Sequence, residues 1–170
     1  RPELNVTAVY GSTEAEPIAH LDARVISESD RAAMHAGRGL LVGRPVDAVQ
    51  VRIMNDEIQV AGDHVNAGYL DPAHDTENKI KDGDTIWHRT GDAGAFDDQG
   101  RLWLWGRVGT AVQIGGKPTY PFAIEVAARQ WEGVTQCALM GDVSKASLVI
   151  AGDRQYADIW QTRAAALGVT

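Results

Sequence analysis

Val49-Gln50-Val51-Arg52-Ile53-Met54-Asn55-Asp56-Glu57-Ile58-Gln59-Val60 reads as two short strands around a turn. Val49, Val51 and Ile53 face one way, Gln50 and Arg52 the other, and Ile58 and Val60 repeat the alternation past Asn55-Asp56. A period of two with a tight turn between predicts antiparallel, amphipathic strands with one face on a core. Towards the C-terminus, Asp71-Pro72 can cap and start a short helix, because proline is tolerated where no intrahelical N–H is needed. Lys81-Asp82-Gly83-Asp84 and Asp97-Asp98-Gln99-Gly100 read as turns, the second leading into Leu102-Trp103-Leu104-Trp105. Four large side chains in succession require cover on both faces of that strand. Residues 40–105 therefore read as one mainly β unit.

Outside this unit the pattern changes. Leu4–Tyr10 is an apolar run that suits a strand and ends at Gly11, and nothing before it supplies a neighbour for that strand. Ser27 followed by Asp30 resembles a capping box ahead of a short helix, Glu28–Ala36, stopped by Gly37. After Gly106-Arg107, Pro121 can open a helix carrying Phe122, Val126, Ala127 and Trp131. Strands are expected at Val134–Met140 and Ser147–Ala151. A last helix from Arg154 would set Tyr156, Ile159, Trp160, Ala164 and Leu167 on one side, with Gly168 as its stop. The fold class is α+β.

The 170 residues carry 23 acidic and 16 basic side chains, a formal net charge of −7, with the acids spread along the chain. No Lys/Arg cluster with interleaved aromatics points to nucleic acid or to an anionic membrane surface. Cys137 is the only cysteine, so an intrachain disulfide is impossible, and its apolar neighbours read as those of a core thiol. No apolar run approaches membrane-spanning length and the first residues do not resemble a signal peptide, so a cytoplasmic location is expected.

Several segments carry chemistry. Tyr10-Gly11-Ser12-Thr13-Glu14 sets a glycine, two hydroxyls and a carboxylate at a strand end, where hydroxyls and N–H groups can hold phosphate and the carboxylate a hard cation. Thr90-Gly91-Asp92 reads as a tight turn whose Asp can accept from two vicinal ribose hydroxyls. Arg107, after the Trp-rich strand, offers a guanidinium suited to phosphate or ribose. Taken singly, each segment reads first as an ordinary turn or a surface salt bridge. Gly115-Gly116-Lys117 is not a phosphate loop, since Ala111 holds the required earlier glycine position and Pro118 follows the lysine. The histidines at 20, 35, 64, 74 and 88 lack metal-ligand spacing, and Ser12 and Ser29 lack a hydrolase context.

The segments gain force from their order. Tyr10–Glu14, Gly43-Arg44-Pro45, Glu57–Val60, Gly68-Tyr69, His88–Asp92, Gly106-Arg107 and Gly115-Gly116 together resemble the second half of a superfamily. It is the adenylate-forming one of acyl-CoA synthetases, luciferases and peptide-synthetase adenylation domains. The stretch Glu28–Pro45 looks more like the β-lactone synthetase branch of olefin biosynthesis.

The resemblance implies the end of a large N-terminal domain at residues 1–20, a distorted antiparallel β-barrel subdomain at 21–107, and part of a mobile C-terminal domain at 108–170. It implies ATP and Mg²⁺, a carboxylic or fatty acid substrate joined to AMP, and in many members transfer to CoA or a carrier-protein thiol. In the β-lactone branch a β-hydroxy acid closes instead. By the same resemblance Tyr10 and Gly11 border the adenine, Thr13 binds phosphate, Glu14 binds Mg²⁺, Asp92 the ribose and Arg107 ribose or phosphate. Thr13 and Glu14 are the candidate catalytic residues.

Departures accompany the likeness. The hinge position, usually Asp or Lys, falls at Gly109, and Gln113 replaces a frequent Lys. Lys145 is too early to stand in for the adenylation lysine, and the phosphate loop and acyl pocket would precede Arg1. The expectation is a fragment that needs a complementary N-terminal half. The alternative class is a non-catalytic interaction module derived from the fold.

Overall fold

The computed structural model describes residues 4–141 and 146–169. In chain order the elements begin β1 (Thr7–Ser12), β2 (Ala15–Asp22), α1 (Glu28–His35), β3 (Leu40–Pro45), β4 (Gln50–Met54) and β5 (Glu57–Ala61). They continue α2 (Asp75–Asn78), β6 (Lys79–Asp82), β7 (Thr85–Phe96), β8 (Leu102–Arg107), β9 (Val112–Ile114) and β10 (Lys117–Thr119). The last four are α3 (Pro121–Ala128), β11 (Val134–Gly141), β12 (Ala146–Gly152) and α4 (Ala157–Ala166). Two compact units result. One joins the N-terminal segment up to Ser27 to Leu41–Leu104, and the other joins Glu28–Leu40 to the segment from Trp105 onward.

The first unit is built on an open antiparallel sheet, in the order β1-β2-β3-β8-β7-β5-β4 with β6 on β7. The Asn55-Asp56 turn is confirmed: both residues have positive φ, 52° and 67°, the conformation that lets a two-residue loop match the twist of its strands. Register follows, with Gln50 opposite Ala61 and Met54 opposite Glu57. The expected one-sided burial does not hold. Every residue of β5 is buried, Glu57 and Gln59 included, because an ion-paired layer covers the polar face. In that layer Arg89 Nε donates to Glu57 Oε2 (2.8 Å), Arg52 Nε to Gln59 Oε1 (2.9 Å) and Arg52 Nη1 to Asp82 (2.8 Å). The Arg52 guanidinium also lies 4.1 Å from the centre of the Trp87 ring. The largest fully buried side chains of this unit are Ile18, Ile58, Val60, Leu102 and Trp103, the last two adjacent in β8 and so on opposite faces of the sheet.

The turn Asp97–Gly100 closes on its own carboxylate. Asp97 Oδ1 accepts the N–H groups of Gln99 and Arg101, while Oδ2 accepts Arg101 Nε and Trp103 Nε1, all within 3.0 Å. Burial alone would raise this carboxyl, but the Trp103 and Arg101 donors outweigh it and hold it down at about 2. A folded value below the unfolded one stabilises the fold above the ordinary carboxylate range, and that stability is lost as pH falls through the folded value. Acid titration is thus expected to remove about 2 kcal/mol between about pH 4 and pH 2. Asp97→Asn should abolish that step, which urea unfolding across this range would register.

The second unit packs α3 and α4 with two hairpins around Val112, Ile124, Trp131, Leu139 and Trp160, and α1 lies against α3. Pro121 opens α3 as expected. Gly115 and Gly116 (φ 58° and 77°) form the two-residue turn between β9 and β10, so this glycine pair is hairpin chemistry and Lys117 is a strand residue. Cys137 is half-buried against the core, and burial pushes its thiol up. On α4, Trp160 and Ala164 are buried as expected, whereas Ile159 is exposed at 45%. Its neighbour Trp160 takes the inward position, anchored by Nε1 donating to Glu132 O (2.8 Å), and that sets the helix rotation. Among the described residues no helix is long and apolar enough to cross a membrane.

Candidate functional site

Tyr10–Glu14 forms the tip of a β-hairpin and not a strand running into an open loop. The neighbour that β1 lacked in the preceding sequence is β2, with Tyr10 opposite Ala19 and Ser12 opposite Ala15. Register slips between Tyr10 and Ser12: two steps along β1 meet four along β2, so Glu16-Pro17-Ile18 bulges and Gly11 is the single residue that faces it. A Cβ on Gly11 would lie 2.7 Å from Ala15 O, which explains the glycine without reference to any ligand. Thr13 and Glu14 make the turn, Thr13 exposed and Glu14 half-buried.

Glu14 is held at both ends. Its carbonyl accepts the Asn66 N–H (2.9 Å) and its Oε1 accepts the Tyr69 hydroxyl (3.0 Å). Partial burial would raise the carboxyl. Its own backbone N–H, the Tyr69 and Ser12 hydroxyls and the nearby His88 outweigh that and keep it below the usual carboxylate value. The Ser12 hydroxyl exerts this influence without completing a hydrogen bond: its Oγ is buried and meets no partner at bonding geometry. Tyr69 responds in the opposite sense, pushed up to about 12 by burial and by its carboxylate acceptor.

Asp92 lies within β7, not in a tight turn. Glu57 faces Ala93 and Gln59 faces Arg89, so two steps along β5 meet four along β7, and Thr90-Gly91-Asp92 bulges out. Gly91 takes φ 70° there. The Thr90 hydroxyl pins the bulge by donating to Ile58 O (2.8 Å) and accepting the Asp92 N–H (3.0 Å). The bulge turns Asp92 Oδ2 to the Tyr10 hydroxyl, which donates to it at 2.9 Å. Tyr10 and Asp92, separated by 82 residues, thus form one feature.

Arg107 belongs to the second unit, exposed at the end of β8, where its carbonyl accepts the Thr110 hydroxyl (2.9 Å). Gly109 sits in the short 3₁₀ turn Val108–Thr110, and nothing lies within 4 Å of where its Cβ would be. Lys145 lies outside the described residues.

Sequence reasoning gave Asn66 and Lys79 no site role, Ser12 entered only as one of two hydroxyls able to hold phosphate, and Tyr69 and His88 entered only as parts of the motif series. Nothing local marks Asn66 or Lys79. Their part depends on Lys79, in β6, reaching Asn66, whose carbonyl accepts from Nζ at 2.5 Å, with the Asn66 side chain accepting as well. Burial lowers the proton affinity of the Lys79 amine, while Glu14 and Asp75 pull the other way. Burial likewise lowers His88, with Lys79 adding to it. Among the described residues no three His, Cys, Asp or Glu side chains gather as a protein-only metal cage. One charged carboxylate beside hydroxyls fits Mg²⁺ instead, which keeps waters and shares phosphate oxygens with one or two carboxylates.

No family model matches the chain. An olefin beta-lactone synthetase of Stenotrophomonas maltophilia is 35% identical over 158 residues, covering 78% of this chain and 28% of that protein. The chain belongs to the adenylate-forming, AMP-binding superfamily. A second member, a 2-succinylbenzoate–CoA ligase of Staphylococcus epidermidis, is 31% identical over 106 residues, 59% of this chain and 22% of that one. Among solved superfamily structures, the O-succinylbenzoate coenzyme A synthetase of Bacillus subtilis in complex with AMP superposes with a TM-score of 0.66. It is 25% identical and covers 88% of this chain and 32% of that one. The chain spans 28% of the length of the first curated relatives it matches, and the match is to their C-terminal portion.

Proposed function

We propose that this chain contributes one wall of the nucleotide site of an ATP-dependent enzyme that activates a carboxylic acid as its acyl-adenylate. The observation that carries the reading is the Tyr10–Asp92 bond, which joins the β1 hairpin to the β7 bulge and brings a phenol ring beside a carboxylate of the kind that accepts from vicinal hydroxyls. In the reaction a carboxylate oxygen of the substrate attacks the α-phosphorus, the bond to the bridging oxygen breaks, and pyrophosphate leaves. Tyr10 and Gly11 border the base, Asp92 accepts from the ribose hydroxyls, and the Thr13 hydroxyl donates to the α-phosphate. Arg107 binds ribose or phosphate. Glu14, kept ionised, would hold Mg²⁺, whose charge supports the negative phosphates when bound.

The proposed division places the end of the large domain at 1–20, the distorted-barrel subdomain at 21–107 and the mobile domain at 108–170, with a complementary N-terminal half completing the site. The acyl acceptor is CoA or a carrier-protein thiol. The similarity to olefin beta-lactone synthetases favours a second reading, in which a β-hydroxy acid is activated and its own hydroxyl closes the ring.

ATP–pyrophosphate exchange with a panel of carboxylic and β-hydroxy acids tests this. It should be measured on the chain and on the chain extended to the length of its relatives. Exchange is expected from the extended chain. Glu14→Ala and Asp92→Ala should each lower it on the order of 100-fold. Exchange that survives both changes, or no nucleotide binding by either polypeptide, would overturn the reading.

A further inference from the structure

Glu14 closes a circuit of contacts whose far member is Lys79. Asn66 donates its N–H to the Glu14 carbonyl (2.9 Å), and the Asn66 carbonyl and side-chain oxygen both accept from Lys79 Nζ. That same Nζ lies 5.3 Å from the centre of the Tyr69 ring, and the Tyr69 hydroxyl returns to Glu14 Oε1 at 3.0 Å. The intervening segment is secured along its length: the Asn66 side chain donates to Gly68 O (3.3 Å) and the Tyr69 N–H to Asp75 Oδ1 (2.8 Å). No secondary structure holds Asn66–Tyr69, since β5 has ended at Ala61 and the next helical turn begins at Pro72. Its placement against Glu14 rests on the one main-chain bond from Asn66 and on these side-chain contacts.

An apolar side chain on β6 would avoid the cost of drawing an ammonium out of water. The charge is retained where two Asn66 oxygens and an aromatic face receive it, an arrangement that neither methionine nor leucine reproduces.

We propose that Lys79 is a positioning residue for Glu14: by clamping Asn66 and seating the Tyr69 ring, it fixes which way the Glu14 carboxylate presents its oxygens to a divalent cation on the nucleotide phosphates. The inference rests on the nucleotide reading above. Lys79 touches neither nucleotide nor metal and acts through Tyr69 and Asn66. Partners that orient a metal-binding side chain typically change metal affinity 10- to 100-fold when lost.

The test compares wild type, Lys79→Met and Lys79→Arg, in the chain extended to the length of its relatives. Calorimetry measures ATP affinity with and without Mn²⁺, and NMR follows hydrogen exchange of the Asn66 amide. In Lys79→Met, the gain in ATP affinity that Mn²⁺ confers should fall about 10-fold. Metal-free ATP affinity, set by Tyr10 and Asp92, should stay within about 2-fold of wild type, a separation that general unfolding would not produce. The Asn66 amide should exchange about 10-fold faster while the Val60 amide in the core keeps its wild-type rate. Lys79→Arg should restore most of the metal-dependent gain. A Lys79→Met protein with the wild-type Mn²⁺ gain, or with unchanged exchange at Asn66, overturns the inference alone. A wild type that binds no ATP with or without metal overturns the nucleotide reading and this inference with it.

Discussion

Replacing Trp103 with alanine is expected to lower the unfolding free energy by about 3–5 kcal/mol, the usual cost of emptying a buried aromatic site. Trp103 is 1% exposed in the first unit, on the strand that follows the Asp97 turn. Its loss has two parts. The cavity removes apolar contact, and Asp97 Oδ2 loses the Nε1–H donor that helps keep that carboxylate ionised inside the protein. Trp103→Phe separates the two in part, since it keeps a six-membered ring in the site while removing the donor and the rest of the indole, and should cost about 1–3 kcal/mol. Urea unfolding of the three proteins should rank them wild type, then phenylalanine, then alanine. An alanine variant within 1 kcal/mol of wild type would mean that the site collapses around the deletion and that this strand does not anchor the sheet.

Gly43→Ala carries the second large effect, about 3 kcal/mol. Gly43 has φ 99°, a conformation L side chains rarely adopt, and a Cβ there would lie 2.2 Å from the His20 carbonyl oxygen. The strain cannot be relieved by rotating a side chain, because the obstacle is backbone. It also falls where β2 meets β3 through a short register, Ala19 opposite Pro45 and His20 opposite Arg44. Separating these strands detaches the β1–β2 hairpin from the rest of the sheet, and with it Tyr10, Thr13 and Glu14. The variant should therefore lose nucleotide affinity along with stability. Arg44→Ala, next in sequence and on the exposed side, should leave both near wild type. Thermal unfolding paired with an AMP titration distinguishes the two positions.

The sequence disclosed those parts of the fold whose cause is local. Asn55-Asp56 and Gly83 mark turns because few residues accept positive φ, and Pro121 marks a helix start because its missing N–H costs nothing there. It misjudged parts whose cause is distant. Thr90-Gly91-Asp92 has the composition of a turn, and only pairing of β7 with β5 makes it a bulge within a strand. The polar residues of β5 read as solvent-facing because Arg89 and Arg52, which cover them, come from other strands. For the site, the motif order pointed to Tyr10, Glu14 and Asp92, but not to the Tyr10–Asp92 bond or to the Asn66–Lys79 clamp. Those are products of three-dimensional proximity, with no periodic or spacing signal along the chain.

The layer of Arg52, Gln59, Glu57 and Arg89 has a consequence for how this chain can change over generations. Buried Glu57 and Gln59 are answered by Arg89 and Arg52, so losing either arginine strands a polar group inside the protein. Exchanging the whole set for apolar residues of similar volume removes these needs together and leaves only solvent-exposed Asp82 without its arginine. Steps through single substitutions are thus uphill, while the concerted exchange lies on nearly level ground. These four positions form a single heritable unit, and a library that varies them one at a time would find only losses where a library that varies them together finds alternatives.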